Sequence, residues 1–138
     1  DAVVISDYNK GFLSEDDIKA ISEKHPVTFL DTKKILGNWC EKIKFIKINE
    51  FEYERTKHKL TPELVEKMII TLGPKGARHK SIEFPVPKVE IKDTSGAGDT
   101  FIASLAANYV KFKDIFKAIE SANDSATKVV QKKGVSTV

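Results

Sequence analysis

Asp93-Thr94-Ser95-Gly96-Ala97-Gly98-Asp99 is the stretch on which the reading of this chain turns. Its two glycines bracket an alanine just before Phe101, Leu105, Ala106 and Tyr109, whose spacing is that of an amphipathic helix. The first backbone N–H groups of a helix have no intrahelical partner, so the segment predicts an anion site at a helix N-terminus. With no side chains at Gly96 and Gly98, a phosphate reaches the main chain, and the helix dipole favours the negative charge that builds there during phosphoryl transfer. Asp99 follows the cradle by one residue. A carboxylate there repels phosphate, and its presence is explained if it serves as a base for an attacking hydroxyl. The alternative is a tight turn in which Asp99 only complements the dipole. The G-x-x-x-x-G-K-[ST] loop and the G-x-G-x-x-G fingerprint are both excluded: no lysine follows the cradle, and no third glycine stands in register.

Outward from this segment, short apolar runs alternate with amphipathic stretches, the pattern of parallel strands joined by covering helices, and the class is α/β. Ala2–Ile5 reads as a buried strand. Ser14 caps a helix whose first turn is acidic and which Pro26 stops, with Ile18 and Ile21 inward. Val27–Leu30 and Phe45–Ile48 are further strands, the second delivering the chain to Asn49. Glu50–Lys57 starts a helix, and Thr61-Pro62-Glu63 starts another with Leu64, Val65 and Met68 on its inner face. Met68–Leu72 becomes a β run, and Gly73–Gly76 turns it into a hairpin whose return arm includes Ile82 and Phe84. Ile115, Ile119, Ala122, Ala126, Val129 and Val130 mark a last helix, paired with the one after the cradle.

Asn49 and Glu52 stand where a strand gives way to a helix, with their side chains able to face one mouth. They read either as oxygen ligands that organise Mg²⁺-bound water and phosphate, or as a helix cap and its capping-box partner. Thr71-Leu72-Gly73-Pro74-Lys75-Gly76 reads as a tight turn. Lys10 and Lys33 follow strands, where open α/β sheets place ligands, and either is a solvated surface lysine or a phosphate partner. Arg55–Lys59 is a wet basic face, and His25, His58 and His79 lack ligand-like spacing.

The segment at 93–99 resembles the second signature of the ribokinase-like, or PfkB, carbohydrate kinases, D-T-x-G-A-G-D, whose fixed residues stand here as Asp93, Thr94, Gly96, Ala97, Gly98 and Asp99. The resemblance implies Asp99 as catalytic base and Gly96, Ala97 and Gly98 as anion hole. It implies that Asn49 and Glu52 form the family's N-x-x-E motif, with Glu52 near Mg²⁺ through water. It implies that Thr71, Gly73 and Gly76 form the T-x-G-x-x-G turn beside ATP, and that Asn123 lies on the adenine side. In many members a monovalent cation such as K⁺ is bound, which makes Asp93 and Ser95 contributors. The segments after the first two strands and the Gly134–Val138 tail are similar to the heptose-7-phosphate kinase branch, with Lys10 as a substrate residue. The fold implied is ribokinase-like, a mostly parallel sheet flanked by helices. Residues 1–138 would be its C-terminal, nucleotide-binding and catalytic portion, without the N-terminal half and lid. The interval from Arg55 to Met68 is shorter than the family pattern and predicts thinner helical cover on one sheet face. The expected substrate is a sugar or sugar phosphate; a nucleoside kinase, or a non-catalytic nucleotide-binding or dimerisation module, is the alternative, and a homodimer is compatible with either.

The remaining bulk properties fit. At 138 residues, 41% hydrophobic and 31% charged, the chain has the composition of one folded domain. Its net charge of +3 is spread, giving no call for nucleic acid. The lone Cys40, read as a partly buried thiol, forms no internal disulfide. No run approaches a membrane span, and the expected setting is the cytoplasm.

Overall fold

The computed structural model describes residues 2–7, 13–85 and 97–136. In chain order the elements are β1 (Val3–Asp7), α1 (Glu15–Lys24), β2 (Thr28–Thr32), β3 (Phe45–Asn49), α2 (Glu50–Thr56), α3 (Pro62–Lys67), β4 (Met68–Thr71), β5 (Ala77–His79), β6 (Ile82–Phe84), α4 (Ala97–Phe112) and α5 (Ile115–Ser136). Single 3-10 turns occupy Asn38–Cys40, Lys57–Lys59 and Gly73–Lys75. The strands lie in sequence order, with β1 to β4 parallel and β5 and β6 antiparallel. This is the mostly parallel α/β sheet expected, covered on both faces.

Strand alternation divides the core into two layers. Ile5, Leu30, Ile46, Ile48, Met68 and Ile70 point to the face covered by α1, the Asn38–Cys40 turn, α2 and α3, where they meet Ile18, Leu36, Cys40 and Leu64. Phe29, Phe45 and Ile69 point the other way, against Phe101, Ile102 and Leu105 of α4 and Ile119 and Ala122 of α5. On that face the Phe29, Phe45 and Tyr109 rings pack at centroid separations of 5.1 to 5.8 Å, two of the three contacts edge-on.

Local chemistry sets the helix starts. Ser14 caps α1 by accepting from the Asp17 N–H at 3.1 Å, while Asp17 accepts from the Ser14 N–H at 3.0 Å. Those bonds hold the Asp17 carboxyl below its ordinary range. Thr61 caps α3 ahead of Pro62, as the sequence predicts.

Several expectations are corrected. The hairpin's return arm is two strands: β5 runs back along β4, and Lys80-Ser81, both at positive φ, turn the chain into β6. Only Leu64 of α3 faces inward; Val65 is 47% exposed, and Met68 already belongs to β4. The face under the short Arg55–Met68 interval is nonetheless covered, since α2 and α3 supply Tyr53 and Leu64 to its core. In the basic stretch Thr56 is buried, its hydroxyl accepting from the Leu36 N–H at 2.8 Å. Cys40 is fully buried, which pushes its thiol up to about 11. β1 is less buried than its composition predicts, with Val4 40% exposed. Among the described residues no helix is long and apolar enough to cross a membrane.

Candidate active site

The carboxyl ends of β2, β3 and β4 lie side by side, and the registers Asp31↔Lys47 and Asn49↔Thr71 place functional side chains on neighbouring strands. An open α/β sheet binds ligands at this edge.

Asn49 ends β3 and caps α2. Its Oδ1 accepts from the Glu52 N–H at 2.8 Å, and Glu52 Oε1 accepts from the Asn49 N–H at 2.9 Å. The capping box read from the spacing is thus formed. It does not exhaust Glu52: Oε2 faces outward to Lys33 Nζ at 3.2 Å, and Glu52 is 7% exposed while Lys33 is half-exposed. Each carboxylate oxygen retains acceptor capacity beyond one hydrogen bond. The capping role and the ligand-organising role are therefore compatible in one side chain.

Asp31 and Lys47 were not singled out as site residues by sequence. Alternation turns both toward α4, the face to which Phe29 and Phe45 also point. Lys47 is 7% exposed, and its Nζ lies 3.4 Å from Asp31 Oδ2. The same ammonium lies 3.1 Å from where a Cβ on Gly98 would stand. Burial pushes the Asp31 carboxyl above its ordinary value against the pull of Lys47, with Glu52 and Asp99 adding like charge. That mutual influence joins the strand ends to the first turn of α4. A signal existed in the sequence: a lysine flanked by Ile46 and Ile48, in a strand buried on both faces, needs a partner.

The first turn of α4 carries Ala97, Gly98 and Asp99, with the Asp99 side chain exposed. Gly96 belongs to the same predicted cradle and, with Asp93, Ser95 and Lys10, lies outside the described residues. Thr71 donates weakly to the Ile48 carbonyl at 3.4 Å. In the turn that follows, Gly73 has φ +61° with open space around its Cβ position, and Gly76 has φ +105°. Gly76 supplies backbone freedom, as read. Asn123 is buried, and its Nδ2 donates to the Phe84 carbonyl at 2.8 Å, tying α5 to β6. Among the described residues no group of three histidine, cysteine, aspartate or glutamate side chains forms a metal cage.

The chain is similar to known proteins in sequence and in fold. The description "pfkB family carbohydrate kinase" matches residues 25–138. The chain is 29% identical to the "Bifunctional protein HldE" of Nitratiruptor over 99% of its length and 34% of that protein's, and 32% identical to the Marinomonas protein of that name over all of its own length and 34% of the other's. The latter alignment runs to 159 positions against 138 residues, so that relative carries insertions. A "Nucleoside kinase" of Methanocaldococcus jannaschii is 32% identical over 77% of the chain and 39% of that protein. Among solved structures, Thermotoga maritima ribokinase superposes with a TM-score of 0.74 at 19% identity, covering 93% of this chain and 50% of that one. The M. jannaschii nucleoside kinase gives 0.72 at 23%, covering 96% and 50%. The chain thus spans about a third of the curated relatives' length and half of the ribokinase-like structures. A match over residues 25–138, on a sheet and helix order shared with ribokinase, establishes that the chain belongs to the pfkB family of carbohydrate kinases.

Proposed function

We propose that residues 1–138 form the nucleotide-phosphate and catalytic part of an ATP-dependent kinase that phosphorylates a hydroxyl of a sugar or sugar phosphate. The observation that carries this is the convergence, on one sheet edge, of Asn49, Glu52, Asp31 and Lys47 with the α4 turn that bears Gly98 and Asp99. Anionic phosphoryl oxygens lie on the amides of Gly96, Ala97 and Gly98 at the positive end of α4. Asp99 takes the proton of the acceptor hydroxyl as its oxygen bonds to the terminal phosphorus, and the bond from that phosphorus to the bridging oxygen breaks to release ADP.

The donor set fits a magnesium nucleotide. Asp31 and Glu52, paired with Lys47 and Lys33, bring carboxylates near Asp99 at the edge where a polyphosphate would lie. Magnesium ordinarily keeps several waters and takes one or two carboxylates plus substrate phosphates, so Glu52 through water suits it better than a closed protein cage would. When bound there it would supply neutralisation of phosphate charge. Thr71, Gly73 and Gly76 line the nucleotide's side, with Asn123 on the adenine side; Asp93 and Ser95 are assigned to a monovalent cation, and Lys10 to the acceptor. The heptose-7-phosphate branch is favoured by the resemblance to the HldE proteins, and a nucleoside acceptor by the M. jannaschii relative.

The test uses the protein as its gene encodes it, in a coupled ADP-release assay against sugars, sugar phosphates and nucleosides. Asp99→Asn is expected to lower kcat by at least about a hundredfold with ATP affinity nearly unchanged. Full turnover by that variant refutes the assignment. No turnover of any acceptor by the unmodified protein, with ATP still bound, favours a non-catalytic module instead.

A further inference from the structure

Lys47 is the least expected charge in the molecule. It sits in a five-residue strand otherwise made of Phe45, Ile46, Ile48 and Asn49, and it is 7% exposed. Burying an ammonium costs several kcal/mol unless it is paired and hydrogen-bonded. Among the described residues the pairing is incomplete for that purpose: the contact to Asp31 is long, at 3.4 Å, and engages one of three donors. The partner carboxylate is itself disfavoured by burial and by the nearby Glu52 and Asp99. A pair that served stability alone would be replaced by apolar residues at little or no cost. Meanwhile the ammonium lies 3.1 Å from where a Cβ on Gly98 would stand, in tight contact with the first turn of α4. Gly98 therefore does two things: it bares the main chain to a ligand, and it makes room for the lysine.

We propose that Lys47 is a further binding residue for the transferred phosphoryl group, its ammonium steered by Asp31 to the anion hole and shared with the phosphate when nucleotide is bound. Asp31 is then a positioning residue. The inference rests on the kinase reading above. The ligand chemistry is a terminal phosphate of a nucleoside triphosphate, so nucleoside monophosphate binding is independent of Lys47. Charge at this point matters more in the transition state, where negative charge is spread over the equatorial oxygens, than in the bound ground state.

The experiment compares Lys47→Gln, the double variant Asp31→Asn/Lys47→Gln and Asp99→Asn with the unmodified full-length protein. Turnover, MgATP and AMP affinities, and thermal melts are measured for each. Lys47→Gln is expected to lower kcat about 10²–10³-fold, as removal of one oxyanion donor does, to weaken MgATP binding, and to leave AMP binding unchanged. The double variant substitutes a neutral, mutually hydrogen-bonding amide pair and is expected to melt near the unmodified protein while remaining as slow as the single variant. Recovery of turnover in the double variant overturns the proposal, because Lys47 would then serve only to neutralise Asp31. Unchanged turnover in the single variant overturns it equally. Full activity of Asp99→Asn would instead strike the kinase mechanism itself, so the two failures are distinguishable.

Discussion

Glu52→Gln separates the capping role that Glu52 has in the structure from the magnesium-organising role proposed for it. Glutamine keeps a carbonyl oxygen for the Asn49 N–H, so the bond now measured at 2.9 Å survives, and with it the reciprocal cap on α2. What is lost is the charge and the contact to Lys33, a pair whose lysine is half-exposed and which is worth about 0–1 kcal/mol after solvent screening. At roughly 2–8 °C per kcal/mol for domains of this size range, the melting temperature should fall by no more than a few degrees. Glu52→Ala, by contrast, leaves the Asn49 N–H without its partner, a loss of about 1–3 kcal/mol for a buried donor, and should melt clearly lower. If Glu52 also orients magnesium-bound water, the glutamine variant should need about 10–100-fold more Mg²⁺ for half-maximal rate, the range for groups acting through a metal's outer shell. The assay is initial rate against free Mg²⁺ at saturating ATP, with melts on the same preparations. Superimposable Mg²⁺ curves for the glutamine variant and the unmodified protein would reduce Glu52 to a helix cap.

Gly76→Ala should be among the most damaging single changes to folding. Its φ of +105° is a strained conformation for alanine, and the added Cβ would stand 2.0 Å from the Phe84 carbonyl oxygen, a backbone atom that cannot swing aside. A melt within about 1 kcal/mol of the unmodified protein would contradict this geometry. His79 predicts an acid sensitivity of defined sign. Burial lowers its pKa from the ordinary 6.5, against the Met68 carbonyl that accepts from Nδ1 at 2.8 Å. The native state therefore binds the proton less readily than the unfolded chain. Stability is fully present above pH 6.5, falls as the pH drops through it, and levels off below the folded-state pKa. Urea titrations from pH 7.5 to 5 should show that slope, and His79→Gln should flatten it.

Sheet and helices were legible because apolar alternation, caps and prolines agreed with one another. Ser14, Thr61 and Pro62 fixed helix starts by local hydrogen bonding, which a sequence expresses directly. The missed features depend on space instead. Lys80-Ser81 closes a two-residue hairpin with both residues at positive φ, a job that Asn-Gly would have announced. Nothing in the sequence announces that Asn123 is buried, since the Phe84 carbonyl that it bonds comes from β6, 39 residues away. Asn49 and Glu52 were legible as a pair from spacing, and the cap they form leaves room for the proposed role at the metal. Lys47 needed both sheet faces to be covered before its burial meant anything.

The charges at the strand ends oppose stability as they stand. Burial and two nearby carboxylates push the Asp31 carboxyl up against the pull of Lys47, and among the described residues the buried lysine makes one long contact. A fold selected for stability alone would place Val or Leu at both positions, as Leu30, Ile46 and Ile48 do beside them. Such a cluster becomes favourable when a ligand adds positive charge beside the carboxylates of Asp31 and Glu52 and anionic oxygens beside the lysine and the α4 amides. A metal-bound polyphosphate supplies both at once, whereas a neutral ligand or a bare anion supplies at most one. The electrostatics of the free chain thus point to the same class of ligand as the glycine cradle, by a route that does not pass through the cradle's sequence.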